Sequence, residues 1–394
     1  MNQSNKQFSA LRGAARNSPE SGILEVVNYG REREGMIPLW AGEGDLPTPQ
    51  FICDAATRSL AAGETFYTWQ RGIPELRQAL ADYHNRHYPG NFTNERFYVT
   101  GSGMQAIQVA IQSIAGEGDE IIVPTPAWPN FTAALELNGG VPVCVPMRFG
   151  NKGWQLDLDE MFDAVTDKTR AIFFNSPSNP AGWTASLDEL KAVLDFARKR
   201  GIWIISDEVY NRFYYGESEY APSFYEIVED DDLILFVNTF SKNWAMTGWR
   251  IGWISCHPRL GGVMENIIHY NTSGVAAFMQ RAAVTAIEEG EEFVRFQIAR
   301  AREGRKIVRE ALSTSPRIRF APPDGAFYQL FQIEGFEDTS KLGLQLVDEA
   351  NIGVVTGHAF GPGAEQFNRL CFARDADQMR EAMRRLMDWV EKIS

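Results

Sequence analysis

The sequence predicts an α/β fold, in which a mostly parallel seven-stranded sheet carries helices on both faces and a smaller α+β domain follows. Two observations support this prediction. Between residues 90 and 256, seven apolar segments alternate with helix-like ones, which is typical of a parallel sheet covered by helices. After a helical run from about 275 to 312, short strands and helices are mixed.

The elements can be assigned in chain order. For residues 1 to about 40, the sequence predicts an arm followed by one helix, Gly22 to Glu34. The predicted strands of the sheet are RFYVT, EIIVP, VPVCVP, RAIFFN, GIWIIS, LILFVN and RIGWIS. The clearest helix between them begins at a capping box of Ser186 and Glu189 and ends at Gly201, as helix start and stop signals require.

Composition excludes several classes of protein. The 394 residues carry a formal net charge of −13, which argues against nucleic acid or an anionic membrane as a partner. The four cysteines are scattered, without CxxC spacing or a compact Cys/His set, so neither a disulfide framework nor a metal site is expected. No apolar leader or 18-residue apolar run is present, and we expect a soluble cytoplasmic protein.

An anion site is predicted after the first strand of the sheet. There, Gly101, Ser102 and Gly103 open a helix, whose free backbone N–H groups favour a phosphate. The same string matches the dinucleotide fingerprint G-x-G-x-x-A. That fingerprint also needs an acidic residue after the next strand, where the sequence has Pro124 and Thr125.

Several other strand ends carry polar or aromatic side chains. Ligands of such sheets bind beyond the carboxyl ends of the strands. Trp128 is either a packing residue or a flat wall for a flat ligand, and Asn179 is either a self-capping turn residue or a ligand-binding amide. Asp207, with Tyr210 close behind, is either a turn residue or a carboxylate presented to a ligand.

The segment FVNTFSKNWAMTGWRIGW contains the last candidate group. It places Thr239, Ser241 and Lys242 after an apolar strand and Arg250 after a small-residue turn. Hydroxyls and a guanidinium suit a phosphate. A phosphate nest, a stacking wall, an anion, a phenol and an imine-forming amine together match pyridoxal phosphate (PLP).

At these positions the chain resembles the class I aminotransferases of PLP fold type I. In chain order the motifs are YTWQRGIPELR, PAWPN, SPSNPAG, DEVY and SKNWAMTGWRIG, and the similarity runs in order from about residue 20 to the C-terminus. The resemblance implies an arm and part of the small domain at 1–45, a large PLP-binding domain at 46–285 and a small C-terminal domain at 286–394.

The resemblance also implies roles for individual residues. Lys242 would hold the cofactor as a Schiff base and move a proton, while Asp207 would pair with the pyridine nitrogen. Asn179 and Tyr210 would bond the phenolate oxygen, and Trp128 would stack on the ring. The implied phosphate ligands are Ser102, Gly103, Met104, Thr239, Ser241, Arg250 and, from a second subunit of a homodimer, Tyr67.

The substrate-binding side of the implied site matches the family less closely than the cofactor-binding side does. Arg369 in FNRLCFA would bind the substrate carboxylate, with Gly42, Trp128, Asn179 and Trp40 beside it. Relatives that act on dicarboxylates often carry a lysine at Met104. We therefore expect an apolar pocket formed by Met104, Trp40 and Phe131, and a neutral or aromatic L-amino acid donor.

The expected reaction is ping-pong transfer of an amino group to a 2-oxo acid. A carbon–sulfur β-lyase or a decarboxylase on the same fold is the main alternative, because the same residues would serve it. A dehydrogenase that uses NAD is a remote alternative. Gly44 departs from the proline commoner in this family, and the sequence offers no account of that change.

Overall fold

All seven predicted strands lie in one sheet in the computed structural model, which describes residues 6–393. The α-helices are Lys6–Ser9 (α1), Gly13–Arg16 (α2), Gly22–Gly30 (α3), Gln50–Ala61 (α4), Pro74–His87 (α5), Gly103–Ile114 (α6), Pro129–Leu137 (α7), Leu158–Asp163 (α8), Leu187–Arg200 (α9), Gly261–Thr272 (α10), Ala277–Glu289 (α11), Glu291–Leu312 (α12), Leu342–Ala350 (α13) and Ala376–Lys392 (α14). The strands are Ile37–Pro38 (β1), Phe97–Thr100 (β2), Glu120–Thr125 (β3), Val141–Pro146 (β4), Arg148–Gly150 (β5), Gly153–Gln155 (β6), Thr169–Asn175 (β7), Trp203–Asp207 (β8), Ile234–Thr239 (β9), Gly252–Ser255 (β10), Ile318–Phe320 (β11), Tyr328–Ile333 (β12), Ile352–Gly353 (β13), Val355–Thr356 (β14) and Asn368–Cys371 (β15).

The large sheet has the order β2-β10-β9-β8-β7-β3-β4. Only β10 runs antiparallel to its neighbours. The prediction of a mostly parallel sheet in an α/β fold is therefore confirmed. The register aligns Asn175 with Asp207 and Asp207 with Val237, so the carboxyl ends of three adjacent strands meet at one edge.

Apolar side chains cover both faces of this sheet. Phe174, Ile204 and Phe236 belong to the core on one face, whereas Phe173 and Ile205 belong to the core on the other. This alternation follows from the two-residue period of a strand. Because both faces are buried, the strands read as continuous apolar runs in the sequence.

A second core forms around a four-stranded sheet of order β11-β12-β15-β14. Helix α14 begins at Asp375, whose carboxylate accepts the N–H groups of Asp377 and Gln378, and α12 packs against it. This core also takes in Val209 and Tyr210 from the turn after β8. The turn after β8 therefore packs against the second core.

Two helix predictions need correction, and each lies at a glycine that packs against a tryptophan. The first helix ends at Gly30 rather than Glu34, and the run from 275 to 312 breaks at Gly290. A Cβ at Gly30 would lie 2.7 Å from the Trp40 ring, and one at Gly290 would overlap the Ala286 carbonyl oxygen and lie 2.7 Å from the Trp244 ring. Both glycines therefore permit an indole to pack against the backbone.

The prediction that Phe131 lines a substrate pocket is wrong. Its side chain is fully buried beneath α7, and its ring stacks on Phe173 with centroids 3.7 Å apart. The first turn of α7 faces the sheet at this point, so Phe131 fills the core. Separately, among residues 6–393 no helix combines the length and apolarity needed to cross a bilayer.

The burial of Phe131 predicts a large effect on stability. Phe131→Ala should lower the free energy of unfolding by about 3–5 kcal/mol, because it removes a buried ring and leaves a cavity. Urea denaturation followed by circular dichroism measures this change. Phe296→Ala is the matched control, since that ring is 53% exposed, and it should change stability by less than about 0.5 kcal/mol. Equal losses in the two variants would contradict the assignment.

Candidate active site

A cavity of about 310 Å³ opens where the aligned strand ends meet. Its volume falls within the range of small-molecule sites. The residues that line it come from both halves of the chain: Ile23, Gly42, Glu43, Gly103, Met104, Ile107, Trp128, Asn175, Asn179, Asp207, Val209, Tyr210, Val237, Thr239, Ser241, Lys242, Thr247, Arg250, Tyr328 and Arg369.

Lys242 lies just beyond the end of β9. Its Nζ donates a hydrogen bond to the Gly42 carbonyl oxygen at 2.6 Å. Burial disfavours the ammonium form and lowers the pKa of Lys242 to about 8. Near pH 7 a larger fraction of this amine is therefore neutral than in an exposed lysine. The neutral amine is the form that attacks a carbonyl.

Asp207 is the last residue of β8 and is 95% buried. Its carboxylate accepts a bond from the Val209 N–H at 3.4 Å, and burial raises the pKa of Asp207 to about 7. The neighbouring Asn175 donates to the Asp207 carbonyl oxygen at 3.0 Å and fixes the strand end. A buried carboxylate with so little support would gain most from a cationic partner.

The far end of the cavity is suited to an anion. Gly103 begins α6, and the preceding Ser102 accepts a bond from the Gln105 N–H with its side chain. A Cβ at Gly103 would lie 3.2 Å from Thr239, so the start of α6 lies against the pair of hydroxyls of Thr239 and Ser241. In that pair Thr239 Oγ1 donates to Ser241 Oγ at 2.9 Å, and Arg250 completes the wall.

Arg369 is 99% buried at the opposite wall. It donates to Asn179 Oδ1 at 2.9 Å and to the Trp40 carbonyl oxygen. Its Nε has no hydrogen-bond partner among the described residues. A buried guanidinium with a free donor suits a carboxylate ligand.

Tyr210 and Trp128 complete the cavity. The Tyr210 hydroxyl lies 2.8 Å from the hydroxyl of Tyr328, and both side chains are buried. Trp128 stands on the turn that starts α7 and is partly exposed to the cavity. The cavity thus combines an amine with a lowered pKa, a buried carboxylate, a pair of phenols and an indole.

Besides Phe131, three predicted site residues do not line this cavity. Ser102 lies behind it as the cap of α6. The Trp40 indole packs against Gly30, and only the Trp40 carbonyl oxygen reaches Arg369. Tyr67 is 90% exposed and lies away from the cavity of its own chain.

Sequence reasoning missed eight lining residues, among them Asn175, Glu43, Ile23 and Tyr328. Asn175 ends a strand, so the rule that identified Asp207 could have found it. Glu43 adjoins the predicted Gly42. Ile23 and Tyr328 gave no local signal, because α3 and β12 approach the sheet only through tertiary packing. Within residues 6–393 no cluster of His, Cys, Asp or Glu is arranged to hold a metal ion.

Comparisons with known proteins agree with this geometry. Residues 34–386 match the family model "Aminotransferase class I and II". A probable aspartate/prephenate aminotransferase of Aquifex aeolicus is 34% identical over 91% of this chain and 92% of its own length. An aspartate aminotransferase of Thermotoga maritima is also 34% identical, over 91% and 93% of the two chains.

Solved structures show the same similarity. An aromatic aminotransferase of Pyrococcus horikoshii matches with a TM-score of 0.85 and 30% identity, covering 93% of this chain and 99% of its own. An alanine aminotransferase of Pyrococcus furiosus matches with a TM-score of 0.89 and 26% identity, covering 97% and 100%. The chain belongs to the class I and II aminotransferases.

Proposed function

We propose that this aminotransferase binds PLP in the cavity and transfers the amino group of a neutral or aromatic L-amino acid to a 2-oxo acid by a ping-pong mechanism. The observation that carries the proposal is the pairing of two unusual groups in one cavity. Lys242 has a lowered pKa, and Asp207 is buried with only a backbone N–H on its carboxylate.

The residues of the cavity fit this cofactor at each of its polar groups. Asp207 would receive the protonated ring nitrogen, which supplies the cation that the carboxylate lacks. The start of α6, the hydroxyls of Thr239 and Ser241 and the guanidinium of Arg250 would hold the phosphate. When bound, the cofactor supplies an aldehyde and a ring that withdraws electrons from the substrate.

Lys242 is the proposed catalytic base. Its Nζ would take the proton from the substrate Cα and deliver it to the cofactor carbon C4′, which lies on the other side of the shared nitrogen. This transfer needs a neutral amine within hydrogen-bond reach. The Gly42 carbonyl oxygen, 2.6 Å from Nζ, would fix the position of the amine in the cavity.

Arg369 orients the substrate. Two parallel N–H donors bind a carboxylate in one plane, and such positioning brings the reacting Cα–H bond toward the base. Donor and acceptor both carry a carboxylate, and we assign both to this one guanidinium. They would therefore occupy the site in turn, which is the basis of the ping-pong order.

The lining of the cavity favours a neutral or aromatic donor. Its cationic side chains are Lys242, Arg250 and Arg369, and the proposal already engages each of them. A second carboxylate on the substrate would find no positive partner among the lining residues. Met104, Ile23 and Val209 offer apolar surface instead.

A homodimer with shared sites is part of the proposal. Tyr67 is 90% exposed, and the aromatic side chains of Phe66, Trp69 and Tyr270 are also exposed, at 84%, 64% and 83%. Large aromatic side chains concentrate at protein interfaces. We propose that a second copy of the chain covers these aromatic side chains. Tyr67 would then complete the phosphate site of that second copy.

The alternatives receive no specific support. The family match excludes the dehydrogenase alternative. No contact in the cavity favours a β-lyase or decarboxylase over transamination. Product release without a 2-oxo acid would indicate the lyase. Strict dependence on an acceptor is the expected result.

Removal of Lys242 tests the proposed chemistry. Lys242→Ala should abolish the yellow absorption of the protein and reduce transamination by more than about 1,000-fold, because both the covalent link and the base are lost. Absorption spectra and an acceptor-dependent assay measure these effects. Lys199→Ala, at an exposed lysine of α9, should keep both properties. A yellow, active Lys242→Ala protein would rule out the assignment.

Substrate choice is predicted to depend on Met104. The unmodified protein should turn over leucine, phenylalanine or methionine faster than aspartate. Met104→Lys should raise kcat/KM for aspartate by roughly tenfold, since it adds a charge-assisted bond of about 1.5–3 kcal/mol at the cavity wall. Gln112→Lys adds the same charge on an exposed position of α6 and should leave the ratio unchanged. Faster turnover of aspartate by the unmodified protein would contradict this part of the proposal.

Mixed dimers test the shared site. Lys242→Ala subunits mixed with Tyr67→Ala subunits should regain activity at low PLP concentration, because each hybrid dimer has one intact site. Lys242→Ala mixed with Arg250→Ala should show no recovery, since both residues act within one chain. The assay follows transamination after mixing and reassociation. A monomer in sedimentation, or equal behaviour of the two mixtures, would disprove the sharing of Tyr67.

A further inference from the structure

Two phenols share a hydrogen bond inside the cavity. The hydroxyl oxygens of Tyr210 and Tyr328 lie 2.8 Å apart. Tyr210 belongs to the turn after β8, whereas Tyr328 is the first residue of β12. The two rings meet edge to face, with centroids 5.6 Å apart and an interplanar angle of 85°. The pair therefore links the large sheet to the four-stranded sheet at the site itself.

The position of Tyr328 is fixed from three sides. Its backbone pairs with Cys371 of β15, and the guanidinium carbon of Arg369 lies 4.5 Å from its ring centroid. On the third side, a Cβ at Gly42 would lie only 3.0 Å from the Tyr328 hydroxyl. The absence of a side chain at Gly42 thus leaves room for this hydroxyl beside Tyr210.

The number of protons sets the direction of the bond. A phenol has one hydrogen to donate and two lone pairs to accept with. Burial raises the pKa of both Tyr210 and Tyr328, so both remain neutral hydroxyls at working pH. In the proposed function, on which this step rests, Tyr210 donates its hydrogen to the ring oxygen of the cofactor. Tyr210 can then only accept from Tyr328.

We propose that Tyr328 is a positioning residue that donates to Tyr210 and thereby strengthens the bond from Tyr210 to the ring oxygen of the cofactor. Hydrogen bonds in a chain polarise one another, so each donor strengthens the next. The ring oxygen carries more uncompensated negative charge once the linkage between Lys242 and the cofactor has lost its proton. A stronger donor at that oxygen favours the unprotonated linkage.

A spectroscopic titration tests this relay without any substrate. The visible band of the protein with PLP bound changes when the linkage loses its proton. In Tyr328→Phe, which keeps the ring, the midpoint of this change should move to higher pH by roughly half a unit. Tyr210→Phe should move it further in the same direction. Adding Tyr328→Phe to Tyr210→Phe should then cause no additional shift.

Tyr215→Phe is the matched control. Its hydroxyl donates to the Ala326 carbonyl oxygen at 2.6 Å and does not line the cavity, so the midpoint should stay at the wild-type value. The relay is overturned if Tyr328→Phe titrates like the wild type, or if its shift is the same with and without Tyr210. Absence of a titrating band from the wild-type protein would instead remove the proposed function, and the relay with it.

Discussion

The register of β7, β8 and β9 is the constraint on which the site depends. It brings Asn175, Asp207 and the end of β9 to one edge of the sheet, and Lys242 lies three residues beyond the last residue of β9, Thr239. Each strand is buried on both faces, so a slip of one residue would exchange large side chains between two packed cores. The packing of the sheet therefore also fixes the spacing of the amine and the carboxylate.

The remaining wall of the site comes from the second core. Tyr328 and Arg369 lie on paired strands of the small sheet, β12 and β15. Arg369 bonds Asn179 of the large half, and Tyr328 meets Tyr210. Arg369, which is proposed to bind the substrate carboxylate, is thus carried by a different sheet from Asp207 and Lys242, which are proposed to hold the cofactor. Contacts between buried polar groups join the two halves.

The sequence predicted the fold well because strands buried on both faces give unmistakable apolar runs. It also identified Asp207 and Lys242, since the carboxyl ends of parallel strands are where ligands bind. Arg369 was identified only through resemblance to a family. Tyr328 was missed and Phe131 was misplaced, because the inward or outward direction of one side chain depends on contacts between segments far apart in the chain. The substrate-binding role of Trp40 stays a prediction; its carbonyl oxygen, rather than its ring, contacts Arg369.

The central claim is that the amine at the end of β9 is the point of attachment of the cofactor. Reduction of the PLP-loaded protein with borohydride, followed by proteolysis and mass spectrometry, tests it most directly. We expect a pyridoxyl phosphate group on the peptide that contains Lys242, in about one copy per chain. Attachment to a different lysine, or no attachment after reduction, would contradict it.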